Sequence, residues 1–164
     1  MDFPSYNVVE IIRGTTVDGP GFRTSIYLAG CNHNCEGCHN PETHNPEGGS
    51  IMSLDDIMKI VREEDFDVTL SGGDPLFNPQ KLKILIRTLK KDRRNVWVYT
   101  GFTWEDIIKN KILADAIREA DAVVDGPFIL SLRNTDLRFR GSENQRILDI
   151  QLSFLKNKPV IWEG

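Results

Sequence analysis

The fold is decided by residues 67–89, which read DVTLSGGDPLFNPQKLKILIRTL. Residues 67–70 form a short run that is typical of a buried strand. Asn78 and Pro79 then begin a helix as its N-cap and its first-turn residue. The apolar residues of this helix have the spacing of one buried face: Leu82, Leu85, Ile86 and Leu89. The stretch is therefore a strand, a glycine-rich loop and a helix, which is the repeating unit of an α/β protein.

The same alternation continues on both sides of this stretch. Strands are predicted at residues 8–12, 25–29, 96–99 and 122–124, and shorter strands around 147–148 and 160–161 are expected to close the sheet. Helices are predicted after the cap Ser53, from Thr103, and over residues 114–120. The first of them has an apolar face made by Leu54, Ile57, Met58 and Val61. Strands that alternate with helices pair in parallel through right-handed crossovers, so we predict an α/β fold with a parallel core sheet.

Length limits which α/β architecture is possible. The chain has 164 residues, of which 40% are hydrophobic and 27% charged, and no linker interrupts it. We therefore expect one domain over residues 1–164. A complete barrel of eight strand–helix units needs about 250 residues. The size therefore predicts an open, partial (β/α) barrel.

Charge and hydropathy exclude two classes of partner. The net charge is −4, so the chain lacks the basic field that would hold nucleic acid or anionic lipid. No segment approaches the 18 or so apolar residues of a membrane span, and the first residues do not resemble a signal peptide. We expect a cytoplasmic protein that binds neither nucleic acid nor membrane.

Polar motifs directly follow four of the predicted strands. They are residues 31–38, 71–74, 100–101 and 125–126. Ligands of open α/β sheets bind at the carboxyl ends of the strands, where these motifs are expected to share one rim. The sequence therefore predicts the functional site at this rim.

All the cysteines of the chain lie in one loop with the spacing C-x3-C-x2-C: Cys31, Cys35 and Cys38. Clustered thiols in a reducing compartment favour ligands of one metal centre over disulfides. A 4Fe-4S cluster usually takes four cysteines, so three would leave one iron open to another ligand. The alternative is a structural zinc site with three cysteines and one histidine, the histidine being His33, His39 or His44.

The loop after the strand at residues 67–70 carries two glycines and an acid. Gly72 and Gly73 would let backbone carbonyls approach a ligand, and Asp74 offers a carboxylate to a cation such as an α-ammonium group. The alternative for this loop is a plain turn before a helix. The sequence has no Ser-His-Asp set, no phosphate-binding G-x-x-x-x-G-K-[ST] loop and no H-E-x-x-H motif.

The cysteine loop and the Gly-Gly-Asp loop together resemble the radical S-adenosylmethionine superfamily, which has an open partial barrel. The resemblance implies a 4Fe-4S cluster held by Cys31, Cys35 and Cys38, with one iron chelated by the amino and carboxylate groups of S-adenosylmethionine. It also implies a set of residues that contact the cofactor: Gly37, Cys38, His39, Gly72, Gly73 and Asp74. The chain departs from the usual pattern at Gly37, where many members have an aromatic residue, and at Asp74, which replaces a glutamate.

Four motifs are similar to those of the proteins that activate anaerobic ribonucleoside-triphosphate reductase: DGPGFR at residues 18–23, CHN at 38–40, SGGDP at 71–75 and RGSENQR at 140–146. This resemblance implies that S-adenosylmethionine is cleaved and that a glycyl radical forms on the reductase. It implies two partners, the reductase and a low-potential electron donor such as flavodoxin. The alternatives are a small-molecule enzyme, such as one similar to 7-carboxy-7-deazaguanine synthase, and a zinc or electron-transfer module without catalysis.

The segment from Arg133 to Arg146 is rich in arginine and in turn-forming residues. It has two interpretations. One is a solvated loop stiffened by weak ion pairs, and the other is a docking edge for the partner protein, with Arg138 and Arg140 as its contacts.

Overall fold

Seven strands and five α-helices make up the computed structural model, which describes residues 4–33, 35–38 and 41–164. The strands are β1 Ser5–Thr15, β2 Arg23–Leu28, β3 Ser50–Ser53, β4 Asp67–Gly72, β5 Val96–Tyr99, β6 Ala122–Asp125 and β7 Arg146–Asp149. The helices are α1 Leu54–Glu64, α2 Pro79–Lys91, α3 Trp104–Ile108, α4 Lys111–Ile117 and α5 Ile150–Lys156. None of the described helices is long and apolar enough to cross a membrane.

The strands form one mixed sheet in the order β3-β1-β2-β4-β5-β6-β7. The central strands β2, β4, β5 and β6 pair in parallel, which confirms the predicted parallel core. The outer strands β1, β3 and β7 pair antiparallel, so parallel pairing does not extend to the edges. A short turn joins β1 to β2, and parallel neighbours would need a crossover of a dozen or more residues. Among the described residues no pairing joins the two outermost strands, so the sheet is open.

Several elements differ from the sequence predictions, and helix α5 was not predicted at all. The helix predicted over residues 114–120 is α4, which begins at Lys111 because the Asn110 side chain accepts hydrogen bonds from the first free backbone amides. The strand predicted at residues 160–161 is reduced to one bridge between Ile161 and Leu148. Strand β3 was not predicted, because most of its residues are exposed and carry no apolar alternation.

The two faces of the sheet have different chemistry. Side chains alternate across a strand, so neighbours in sequence lie on opposite faces. One face packs under α1 and α2 and forms the main apolar core, to which α1 contributes the four predicted residues and α2 its predicted four. The other face carries aromatic and polar side chains, including Tyr27, Thr69, Trp97 and Tyr99. We call this second surface the polar face, and it leads to the rim where the motifs lie.

A buried arginine fixes the turn between β1 and β2 onto the polar face. Arg23 is 1% exposed, and its guanidinium stands over the ring of Trp97. It donates to the Thr69 hydroxyl at 2.8 Å and to the Pro20 carbonyl at 3.0 Å. Burial lowers its pKa. Because Pro20 belongs to this turn, the contacts of Arg23 place the preceding Asp18 beside the rim.

Candidate functional site

A cavity of about 430 Å³ lies at the carboxyl ends of the parallel strands. All three cysteines of the chain line it: Cys31, Cys35 and Cys38. The backbone of Gly72 and Gly73 lines the same cavity, as do residues from the ends of β2 and β5. The predicted convergence of the strand-end motifs on one rim is therefore present in the structure.

The start of the cysteine loop is held by backbone hydrogen bonds. The Gly30 amide donates to the Thr43 carbonyl at 2.6 Å, and the Cys31 amide donates to the His44 carbonyl at 3.2 Å. The Gly30 carbonyl accepts from the Asp74 amide at 2.7 Å. The loop that carries the thiols is thus joined directly to the Gly-Gly-Asp loop.

The three thiols are partly buried and form no disulfide. Burial raises the pKa of the Cys31 thiol, and the nearby Asp74 and the other two cysteines act in the same direction. Without a metal this thiol stays protonated, and a bound metal has to displace the proton.

Two kinds of metal site use three cysteines of one loop, a single zinc ion and a 4Fe-4S cluster. Within the described part of the chain, no three His, Cys, Asp or Glu side chains are close enough together to hold one metal ion. Zinc bonds of about 2.3 Å would require sulfur atoms within about 4.6 Å of one another. An iron–sulfur cube binds each thiolate at a different iron, so its ligands stand further apart. Three free thiols on one cavity therefore fit a 4Fe-4S cluster.

The Asp74 carboxylate is 2% exposed, and both of its oxygens accept hydrogen bonds from groups of the protein. Its Oδ2 accepts from the Thr100 hydroxyl at 2.9 Å and the Gly101 amide at 3.0 Å, and lies 2.5 Å from Nε2 of His33. Its Oδ1 accepts from the Leu76 amide at 2.9 Å. The carboxylate thus connects the loops that follow β2, β4 and β5. Asp74 is not among the described residues that line the cavity, and its predicted contact with the cofactor stays a prediction.

The imidazole of His33 belongs to the same cluster of contacts. Because a carboxylate can only accept, the Nε2 atom of His33 carries the proton toward Asp74. This hydrogen bond raises the pKa of His33, although burial opposes the change. The ring also packs edge-on against Phe102, with 4.7 Å between centroids. Of the other two histidines proposed for zinc, His44 has a buried Nε2 without a described partner, and His39 lies outside the described residues.

The predicted cofactor glycines are required by the packing of the backbone. A Cβ atom at Gly73 would overlap the Gly30 carbonyl oxygen and would lie 2.7 Å from the Thr43 oxygen. Gly72 has a φ of +113°, and a Cβ there would overlap the backbone of Leu28. Both glycines also line the cavity. The predicted close approach of a ligand to their backbone stays a prediction.

Gly37 has a left-handed backbone conformation, and its predicted contact with the cofactor stays a prediction. Its φ is +71°, and a Cβ atom would lie 2.9 Å from the side chain of Leu130. The left-handed conformation explains why this chain has glycine before the third cysteine. Gly37 is exposed, and the loop that follows β6 leans against it through Leu130.

Polar residues that the sequence did not assign to the site form another wall of the cavity. Asp18 accepts at Oδ2 from the Ser25 hydroxyl at 2.9 Å and from the Tyr27 hydroxyl at 3.1 Å. The Tyr99 hydroxyl donates to the Phe139 carbonyl at 2.6 Å. Burial raises the pKa of both tyrosines, so they remain hydrogen-bond donors. The signal for Asp18 was the DGPG turn at residues 18–21.

The segment from Arg133 to Arg146 is divided between the cavity and the surface. Arg146 pairs with the buried Asp125 at 2.6 Å and with Glu105 at 2.7 Å. Arg140 lines the cavity that holds the cysteines. Arg138 is exposed and stacks on the ring of Phe139. The docking role predicted for this segment stays a prediction.

Comparison with known proteins assigns the chain to a family. A family described as "4Fe-4S single cluster domain" matches residues 17–148. The anaerobic ribonucleoside-triphosphate reductase-activating protein of Enterobacteria phage T4 is 32% identical over 139 residues, which are 80% of this chain and 86% of that protein. The protein of the same name from Escherichia coli K12 is 31% identical over 160 residues, covering 88% and 96%.

A solved structure supports the fold alone. QueE from Escherichia coli superposes with a TM-score of 0.53 at 17% identity, covering 74% of this chain and 70% of its own. At 17% sequence identity, this solved structure supports the fold and not a function. The alignments with the two activating proteins cover most of this chain and most of each relative. The chain belongs to the 4Fe-4S single cluster domain family and to the family of anaerobic ribonucleoside-triphosphate reductase-activating proteins.

Proposed function

We propose that the chain is an activase that cleaves S-adenosylmethionine reductively at a 4Fe-4S cluster and generates a glycyl radical on anaerobic ribonucleoside-triphosphate reductase. When bound and reduced, the cluster would supply one electron that splits S-adenosylmethionine into methionine and a 5′-deoxyadenosyl radical, which takes a hydrogen atom from a glycine of the reductase. The electron would come from a low-potential donor such as flavodoxin. The products are methionine, 5′-deoxyadenosine and the glycyl radical.

The observation that carries this proposal is the convergence of every cysteine of the chain with the Gly72-Gly73 backbone on one cavity. Cys31, Cys35 and Cys38 would hold the cluster. With three protein ligands for four irons, one iron remains for the amino and carboxylate groups of the cofactor. The names of the sequence relatives support the reductase as the protein substrate.

The chain's own residues would bind, orient and shield the reactants. The carbonyls of Gly72 and Gly73 would accept from the cofactor's ammonium group. Asp74 and His33 would keep the cysteine loop against this backbone, because the carboxylate contacts the loops after three strands. The hydroxyls of Tyr27 and Tyr99 would stay protonated donors along the polar wall.

The open sheet would admit the protein substrate. We propose that it is the partial barrel of radical S-adenosylmethionine proteins, with the polar face inside and α1 and α2 outside. A glycine within a large partner can react only if its loop enters the cavity, and an incomplete barrel leaves one side available for it.

The test is electron paramagnetic resonance on anaerobically reconstituted protein with reductant, S-adenosylmethionine and the reductase. We expect a glycyl radical signal on the reductase and an equal amount of 5′-deoxyadenosine. Cys35→Ala should abolish both, whereas Lys83→Ala in α2, which is not part of the cavity lining, should retain both. Cofactor cleavage that never yields a radical on the reductase would overturn the proposed substrate, and the absence of cleavage would overturn the proposed reaction.

A further inference from the structure

The RGSENQ motif at residues 140–145 is a turn held by its own glutamine. Oε1 of Gln145 accepts from the Gly141 amide at 2.9 Å and from the Ser142 amide at 3.1 Å. Nε2 of Gln145 donates to the Gly126 carbonyl at 3.1 Å. The Asn144 side chain adds a bond to the Pro127 carbonyl at 2.8 Å. The turn is thereby fixed to the end of β6, beside the cavity.

Arg140 is the first residue of this turn and one of the residues that line the cavity. Nη1 of Arg140 donates to the Gln145 carbonyl at 2.6 Å and to the Glu143 carbonyl at 3.3 Å. Within the described part of the chain, no Asp or Glu lies within 4 Å of its guanidinium, whereas Arg146 in the same segment has two acidic partners. The positive charge of Arg140 is therefore held in place without a protein anion to balance it.

The charge of Arg140 distinguishes it from the other side chains that line the cavity. Among the described residues that line it, Arg140 is the one lysine or arginine. The acidic side chain on the lining, Asp18, accepts hydrogen bonds from Ser25 and Tyr27. A guanidinium has five donors in a planar fork that matches a carboxylate. Arg140 thus offers a ligand in this cavity a partner for one carboxylate.

We propose that Arg140 binds the carboxylate of the amino-acid part of S-adenosylmethionine, an assignment that rests on the proposed function above. A carboxylate has two oxygens, so one can bind iron while the other accepts from the guanidinium. The RGSENQ motif is then the platform that orients this arginine, which makes Gln145 a positioning residue. Arg140 also lines a second cavity, which contains Arg138 and Trp162. Because Arg138 is absent from the lining of the first cavity, it is the matched control.

The test compares two ligands on cluster-loaded protein by anaerobic equilibrium dialysis. S-adenosylmethionine carries the carboxylate, and decarboxylated S-adenosylmethionine lacks it. Arg140→Gln should weaken binding of the first about tenfold to a hundredfold and leave binding of the second unchanged. Arg140→Lys should recover part of the loss, and Arg138→Gln should change neither affinity. The absorption of the cluster and the thermal unfolding of each variant check that the fold is intact.

Three outcomes would overturn the assignment. Equal weakening of both ligands would mean that Arg140 supports the shape of the cavity. Unchanged binding of both, with a lower glycyl radical yield, would mean that this arginine serves the partner protein. Wild-type protein that binds neither compound would overturn the proposed function, and the assignment with it.

Discussion

Replacement of Asp74 by asparagine tests whether this residue supports the loops or contacts the cofactor. The carboxylate is 2% exposed and accepts at both oxygens. An amide offers one accepting oxygen and one donating nitrogen. Whichever way it is turned, the nitrogen faces donors: either the Leu76 amide, or the group formed by His33, Thr100 and Gly101.

The smaller of these two losses sets the expected magnitude. If the amide nitrogen faces Leu76, one charge-assisted hydrogen bond is lost, which is worth about 1.5–3 kcal/mol. The Leu76 amide, whose bond to Asp74 is buried, is then left without an acceptor, and the remaining bonds lose their charge. We expect Asp74→Asn to lower the free energy of unfolding by about 2–4 kcal/mol.

Urea unfolding of the cluster-free protein measures this change. Asp65→Asn is the matched control, because Asp65 is 81% exposed and its pair with Arg94 should contribute at most about 1 kcal/mol. If Asp74→Asn unfolds at the same urea concentration as this control but binds S-adenosylmethionine at least tenfold more weakly, the carboxylate serves the cofactor. In that case our account of Asp74 as a support for three loops is wrong.

Three further predictions concern the same rim. Gly73→Ala should weaken cluster and cofactor binding together, because the new Cβ atom would overlap the Gly30 carbonyl at the start of the cysteine loop; an intact cluster spectrum with weaker cofactor binding would contradict this. The hydrogen bond to Asp74 raises the pKa of His33. The stability that this bond contributes to the cluster-free protein is complete below the unfolded pKa of about 6.5 and is lost as the pH rises through the folded pKa. The urea midpoint of the cluster-free protein should therefore fall as the pH rises through this range, and His33→Gln should remove the fall. An unchanged pH dependence in this variant would assign the effect to another group. Cys35→Ala should abolish iron binding and preserve the far-ultraviolet circular dichroism spectrum, since the described apolar core contains no cysteine; loss of the fold would show that the core depends on the metal.

Local sequence patterns predicted α1 to α4 and the central strands, whereas α5 was not predicted. Ser53 caps α1 with a capping box, and Asn78 caps α2, as their positions before apolar periodicity indicated. These features depend on neighbours within a few residues, so the chain carries the signal locally. Strand β3 has no such signal, because it is an exposed edge strand held by pairing with the distant β1.

The sequence predicted the candidate metal ligands of the site. It did not predict most of the contacts that support the loops around them. The cysteine spacing and the strand-end rule placed Cys31, Cys35 and Cys38 on one cavity. The partners of Asp74 come from the ends of two other strands, and no local pattern identifies them. Arg140 was predicted to belong either to a solvated loop or to a docking edge, and in the structure it is one of the residues that line the cavity. Contacts between residues far apart in sequence decide such roles.

The central claim is that three thiolates hold a four-iron cluster and leave one iron for the cofactor. Mössbauer spectroscopy of protein loaded with ⁵⁷Fe, recorded before and after addition of S-adenosylmethionine, tests it most directly. We predict that one iron in four changes its isomer shift and quadrupole splitting on addition, while the other three keep the parameters of thiolate-bound sites. Four irons that do not respond to the cofactor would contradict the claim, as would protein that takes up zinc and no iron.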